Sequence, residues 1–217
     1  MQARQAKIVF SLLAIVVSLG ILLFRYFQPV PKIESRPHLA LGEALAERAA
    51  KLLGSGGRIT LIAPDTVAFK YPGAELQLKA FHQALRRAGL SVAVTNLIRL
   101  APLRPPRVPP GDEFVRKLSD ADVVVSLMGP PNLTADQKAR LGEKRPKVIA
   151  VCSGDMPRQI NLKAPFADNL LQAVIISRAK PGPPPASENL APWFDYYFQW
   201  ITPQNVSDLP GMETAER

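Results

Sequence analysis

Asp65, Thr66, Asn132, Ser153 and Asp155 are the side chains of this 217-residue chain best suited to hold a ligand, because each falls just beyond a short apolar run. Carboxylate, hydroxyl and amide groups gathered on one rim would suit hydrogen bonding to a polar small molecule. The same residue types also serve as ordinary turn and helix-cap residues, and that reading stays open. Catalytic chemistry finds less support. Asp65 and Asp155 form a candidate acid–base pair, but nothing in the sequence shows either to be desolvated. An esterase elbow needs Gly-x-Ser-x-Gly, and the chain lacks that spacing. A receiver-type phosphorylation site needs an acid ending the third run and a lysine ending the fifth, where Met128 and Arg178 stand instead. Cys152 closes an apolar run, the setting of a buried, inert thiol, and the only histidines, His38 and His82, lie on distant segments. Two separated histidines and one cysteine make no metal-ligand set, so neither a metal nor a cofactor is expected. Gly54-Ser55-Gly56-Gly57 is glycine-rich but ends a helix and precedes a strand, whereas a phosphate loop follows a strand and opens a helix. Asn132-Leu133-Thr134 and Asn205-Val206-Ser207 match the glycosylation sequon, which matters only in a glycosylating host.

Five apolar runs must position the rim: Arg58–Ala63, Leu90–Thr95, Asp122–Met128, Lys147–Cys152 and Ala173–Arg178. The last three are nearly continuous in β-branched and aliphatic residues, as strands covered on both faces by crossover helices require. Between the first two, Leu78, Phe81, Leu85 and Ala88 fall at helical spacing over Ala74–Ala88, with Gly89 as a stop. Thr134 and Gln137 fit a capping box opening a helix within Pro131–Gly142. Asp112–Ser119 reads as a shorter helix with Phe114, Val115 and Leu118 inward. His38–Leu53 places Leu41, Leu45, Arg48 and Leu52 on one face as a lead-in helix. The expected fold is α/β: a three-layer, flavodoxin-like domain with a five-stranded, mainly parallel sheet. In the order 2-1-3-4-5, ligands bind beyond the carboxyl ends of the strands, which selects the loops carrying the five polar residues.

The formal charge of +9 divides unevenly. Residues 38–180 carry 21 basic against 12 acidic groups, and residues 181–217 one against five. The basic residues are scattered without interleaved aromatics, which argues against a nucleic-acid groove. A solvated face, or attraction to anionic lipid or cell-wall polymer, accounts for the charge equally well. Ile8–Phe24 is a 17-residue uncharged run flanked by Arg4, Lys7 and Arg25. As a helix it spans roughly 25 Å, the short end of what crosses a bilayer. Bulky residues follow it where a processing site would need small ones, so it reads as an uncleaved transmembrane signal anchor contacting membrane lipid. A signal peptide cut near Ser18–Gly20 is the alternative. The expected placement is a single-pass bacterial-type inner membrane protein with the domain on the extracytoplasmic side. Expected divisions are a stub and anchor (1–27), a proline-containing linker (28–37), the exported α/β domain (38–180) and a proline-rich connector, aromatic helix and acidic tail (181–217).

Ala101–Gly111 holds five prolines and reads as a stiff surface crossing, with a partner-binding polyproline segment as the alternative. In the tail, Trp193, Tyr197, Trp200 and Ile201 fall on one helical face, with Pro192 in the first turn. This helix is expected to dock on the sheet, or to meet a protein partner or the bilayer interface through Trp193, Tyr197 and Trp200.

Tyr71–Val94, with Gly73, Phe81, Leu85 and Gly89-Leu90, resembles the first helix and second strand of a type-I periplasmic binding-protein lobe. Asp120–Val125 before Gly129-Pro130, then Lys147–Val151 and Ser153–Pro157, is similar to the pattern in ABC-transporter substrate-binding proteins of that fold. The resemblance covers about 58–178 and rests on short motifs. Family members close two such lobes around a ligand, and this chain has length for one. The combined expectation is a membrane-anchored, non-catalytic envelope accessory or scaffold that binds a protein partner. The alternative is a tethered solute-binding module using the Asp65, Asn132 and Asp155 loops.

Overall fold

The computed structural model describes residues 13, 15–20, 33–54, 56–66, 71–98, 115, 121–131, 133–142, 145–154, 156, 160, 162–178 and 182–208. Two units are distinguished, Met1–Ile33 and Glu34–Arg217. In the first, residues 13 and 15–20 are helical and exposed. Among the described residues, no helix is long and apolar enough to cross a membrane. Most of Ile8–Phe24 lies outside them, so the anchor reading stands as an expectation.

The second unit is a three-layer α/β domain. Strands β1 (Ile59–Pro64), β2 (Val92–Ile98), β3 (Val123–Ser126), β4 (Lys147–Cys152), β5 (Leu171–Ser177) and β6 (Phe198–Ile201) form one sheet in the order β2-β1-β3-β4-β5-β6. The first five run parallel and β6 is antiparallel to β5. Helices α1 (Ser35–Leu53), α2 (Pro72–Arg87), α3 (Ala135–Arg140), α4 (Lys163–Ala167) and α5 (Leu190–Tyr197) cover it.

Alternation along the buried strands divides the core between two faces. Ile59, Leu61, Val123, Val125, Ile149 and Ile175 pack against α1, α2 and α5. Ile62, Val124, Val148, Val174 and Ile176 pack on the other face with Leu133, Leu141, Leu162 and Phe166. Because both faces are covered, β3 and β4 are buried almost throughout, as their unbroken apolar runs require. Helix α3 opens with Thr134 Oγ1 accepting from the Gln137 N–H at 3.3 Å and Gln137 Oε1 accepting from the Thr134 N–H at 2.9 Å, the expected capping box.

Three expectations need correction. The sheet has six strands rather than five. The aromatic helix stops at Tyr197, and Phe198–Ile201 turns into β6, with Phe198 extended at φ −136° and ψ 163°. Tyr196–Ile201 is rich in aromatic residues that suit a pleated surface, and β6 closes an edge that β5 would otherwise present unpaired. The lead-in helix begins at Ser35 rather than His38, because the Glu34 side chain caps the Arg36 N–H at 3.3 Å. Of the expected helix Asp112–Ser119, only Val115 is described, and it is buried; the rest lies outside the described residues, as does the proline-rich crossing.

Candidate functional site

The sheet order reverses between β1 and β3. From β1 the chain crosses outward to β2 and then returns past β1 to β3. Loops leaving the carboxyl ends of β1 and β3 therefore diverge to opposite faces, opening a crevice between them. Asp65 and Thr66 leave β1 directly into this region and are half-buried. The Asp65 N–H donates to the Ile98 carbonyl at 2.8 Å, which ties the start of the loop to the end of β2.

The opposite wall is held by a residue that sequence reasoning passed over. Ser126, buried at the end of β3, donates its Oγ–H to the Gly129 carbonyl at 2.6 Å and accepts from the Met128 N–H at 3.2 Å. The Leu127 N–H donates to the Ile62 carbonyl at 2.9 Å, stapling the same turn to β1. Gly129 has φ 86°, the left-handed region in which a side chain is strained. A lone serine in a valine strand was the available signal: a buried hydroxyl needs partners, and the turn supplies both. Ser153 follows β4 and is exposed. Neighbouring strands lie roughly 4.8 Å apart, which places Ser153 about 10 Å along the rim from the Asp65 loop. Asn132 and Asp155 lie outside the described residues. The structure thus brings Asp65, Thr66 and Ser153 to one rim at the ends of β1 and β4, on either side of the Ser126 turn.

Concavities lined by described residues include one of about 900 Å³ beside Arg145, Lys147 and Asp168, and one of about 340 Å³ between α1 and α5 beside Glu47, Phe194 and Trp200. Neither is lined by Asp65, Thr66 or Ser153. Among the described residues no group of three or more histidines, cysteines or acids could hold a metal ion. Burial pushes the Cys152 thiol up to about 12, so it is a packed, protonated side chain at neutral pH.

The aromatic residues proposed for a partner or bilayer are largely engaged within the domain. Trp193 is buried, donates its Nε1–H to the Ser187 carbonyl at 2.7 Å and stacks on Tyr197 at 6.1 Å between centroids. Arg36 lies 5.3 Å from the Trp193 ring centroid, and Arg48 lies 5.8 Å from that of Trp200. These cation–π contacts join α1 to α5 and β6. Tyr197 and Trp200 are half-buried.

No protein-family model matches the sequence, and no curated protein matches it significantly. Solved structures do. The arabinose-binding protein AraP of Geobacillus stearothermophilus superposes with a TM-score of 0.52 at 12% identity, over 79% of this chain and 62% of that one. The fold is that of one lobe of a type-I periplasmic binding protein. A LacI-type transcriptional regulator of Bacteroides fragilis gives a TM-score of 0.50 at 11% identity, over 79% of this chain and 61% of its own. An ABC-transporter solute-binding protein of Burkholderia graminis, in complex with D-arabinose, gives 0.47 at 16% identity, over 64% of this chain and 47% of its own. The chain therefore spans about half to three-fifths of the length of these neighbours. A sugar-binding protein and a regulator share the architecture, so the likeness settles the fold, and function rests on the site.

Proposed function

We propose that the chain is a solute-binding module of periplasmic-binding-protein type, in which the rim formed by Asp65, Thr66 and Ser153 takes a polar small molecule of the sugar or polyol class. The observation that carries the reading is the reversal of strand order between β1 and β3, with Asp65 and Thr66 on one side and the Ser126-stapled turn on the other. Carboxylate and hydroxyl groups suit vicinal hydroxyls, which both donate and accept. The neighbours of this fold include proteins described as binding arabinose, which agrees with that chemistry. A second wall across the rim, enclosing the bound molecule, would raise affinity. In this reading Asn132 and Asp155 complete the rim, and Ile8–Phe24 tethers the module to a membrane with the domain on the extracytoplasmic side.

A second reading, a non-catalytic envelope scaffold, draws on a different surface. Strand β2 is the sheet's edge and carries no charge or proline, with Val94 40% and Leu97 50% exposed. Such an edge is a template for another strand.

Thermal unfolding across a panel of pentoses, hexoses and polyols separates the two. A ligand at 100 times its dissociation constant stabilises by about 2.7 kcal/mol, a rise in Tm of roughly 5–10 °C for a domain of this size. The solute-binding reading expects such a shift for a subset of the panel and its loss in Asp65→Ala and Thr66→Ala. A flat panel with a reproducible co-purifying protein, lost in Leu97→Lys, would favour the scaffold instead.

A further inference from the structure

The end of the domain opposite the rim carries a concentration of positive charge. In this fold each covering helix that follows a strand runs back to the amino ends of the strands. Lys51 occupies the last turn of α1, Arg86 and Arg87 that of α2, and Lys138 and Arg140 that of α3. Acidic first-turn residues, Glu75 in α2 and Asp136 in α3, lie at the far end. Basic residues at helix carboxyl termini are favourable for each helix by itself. That argument does not cover Arg58, Arg145 and Lys147, which stand at or just before the starts of β1 and β4.

Two of these cations are held in a distinctive way. The Lys147 Nζ donates to the Leu52 carbonyl at 3.1 Å, and the Arg145 Nη1 donates to the Asp168 carbonyl at 3.2 Å. A carbonyl partner fixes a cation's position without cancelling its charge. Among the described residues, the carboxylates nearest these cations are engaged: Asp168 pairs with Lys138, Glu43 with Arg87 at 2.6 Å, and Asp122 accepts the Arg58 N–H at 2.9 Å. Arg145 and Lys147 line an open trough of about 900 Å³, together with Asp168, whose carboxylate Lys138 holds, and the Asn169 and Gln172 amides.

We propose that this basic trough at the amino end of the sheet is a docking surface for a linear phosphate polyanion. Its openness and the spread of cations across α1, α2 and β4 suit repeated charges along a strand better than one enclosed phosphate. Among the described residues no aromatic ring lines it, so they offer no platform on which nucleic-acid bases could stack. The exposed large apolar residues described in this domain, Tyr71, Val94 and Leu97, line no part of the trough, so among the described residues it lacks the apolar side chains that seat a surface in a bilayer.

The test is binding of labelled long-chain inorganic polyphosphate to the full chain by fluorescence anisotropy, between 50 and 200 mM salt. With about four phosphate contacts, affinity should fall on the order of 100-fold across that range. The double variant Arg145→Gln/Lys147→Gln should weaken binding and flatten the salt slope by about two contacts. If its melting curve shows a folding defect, Lys51→Gln/Arg86→Gln, at helix ends, should weaken binding in the same direction. Asp65→Ala should leave polyphosphate binding unchanged, which separates this surface from the rim. Salt-independent binding, no effect of either double variant, full displacement by millimolar orthophosphate, or binding to phosphatidylglycerol vesicles without binding to polyphosphate would each overturn the proposal.

Discussion

Replacing Gly42 by alanine sets two calculable effects against each other. Gly42 is buried in α1 where that helix packs along α2. Helix propensity alone favours alanine by about 1 kcal/mol, because glycine loses more backbone freedom on folding. Packing opposes it. A Cβ at this position would lie 2.3 Å from the Gln77 carbonyl oxygen, 2.9 Å from the Ala80 Cβ and 3.0 Å from the Phe81 nitrogen. Two of these neighbours are backbone atoms of α2, so relief requires the helices to separate rather than one side chain to rotate. Overpacking of this kind costs typically 1–3 kcal/mol, and a clash with backbone belongs at the upper end. The expected net is a loss of about 1–2 kcal/mol, a fall in Tm of roughly 2–8 °C. Thermal unfolding followed by circular dichroism, with urea midpoints as a check, reads it directly. A rise in Tm would mean that propensity wins, and that α1 and α2 do not approach as closely as described.

Other outcomes follow from single contacts. Trp193→Ala should cost about 3–5 kcal/mol through lost packing, whereas Trp193→Phe should cost about 1–3 kcal/mol, since the Ser187 carbonyl loses its donor; chemical denaturation distinguishes them. Ser126→Ala leaves the Met128 N–H and Gly129 carbonyl without their side-chain partner and should cost about 1–3 kcal/mol, with faster amide exchange at Met128. Burial holds His38 below its usual value, and Gln77 Nε2 lies 3.0 Å from its Nδ1. The folded state therefore binds protons less readily than the unfolded one; its stability is full above about pH 6.5 and falls as the pH drops toward the depressed folded value. A urea series should show that slope reduced in His38→Gln. Cys152 should resist thiol reagents at pH 8 in the native state and react once urea unfolds the chain.

Some elements were legible in the sequence and others were not, for physical reasons. Strands β3 and β4 declared themselves because burial on both faces leaves an unbroken apolar run. The capping box of α3 was visible in Thr134 and Gln137 alone. Strand β2 was harder: as an edge strand only partly covered, it has no strict apolar pattern and extends to Ile98, beyond the expected Thr95. The sixth strand was misread because Trp193, Tyr197, Trp200 and Ile201 satisfy helical spacing while their neighbours also favour a strand. The free edge of β5 decided it, and that edge exists only in the folded sheet. For the site, Asp65, Thr66 and Ser153 followed from topology once strand order was assumed. The role of Ser126 did not, since its partners are main-chain atoms of a turn whose shape the sequence does not state. The amino-end trough escaped notice because Arg145 and Lys147 are held by the Asp168 and Leu52 carbonyls, main-chain partners that only the folded chain brings to them.

The measurement that bears most directly on the account is an amide chemical-shift titration of the labelled domain with the sugar or polyol that gives the largest thermal shift. Perturbations centred on Asp65, Thr66, Leu127–Gly129 and Ser153 are expected. Shifts confined to the groove between α1 and α5, or to the Arg145–Lys147 trough, would place the ligand elsewhere and contradict the assignment of the rim.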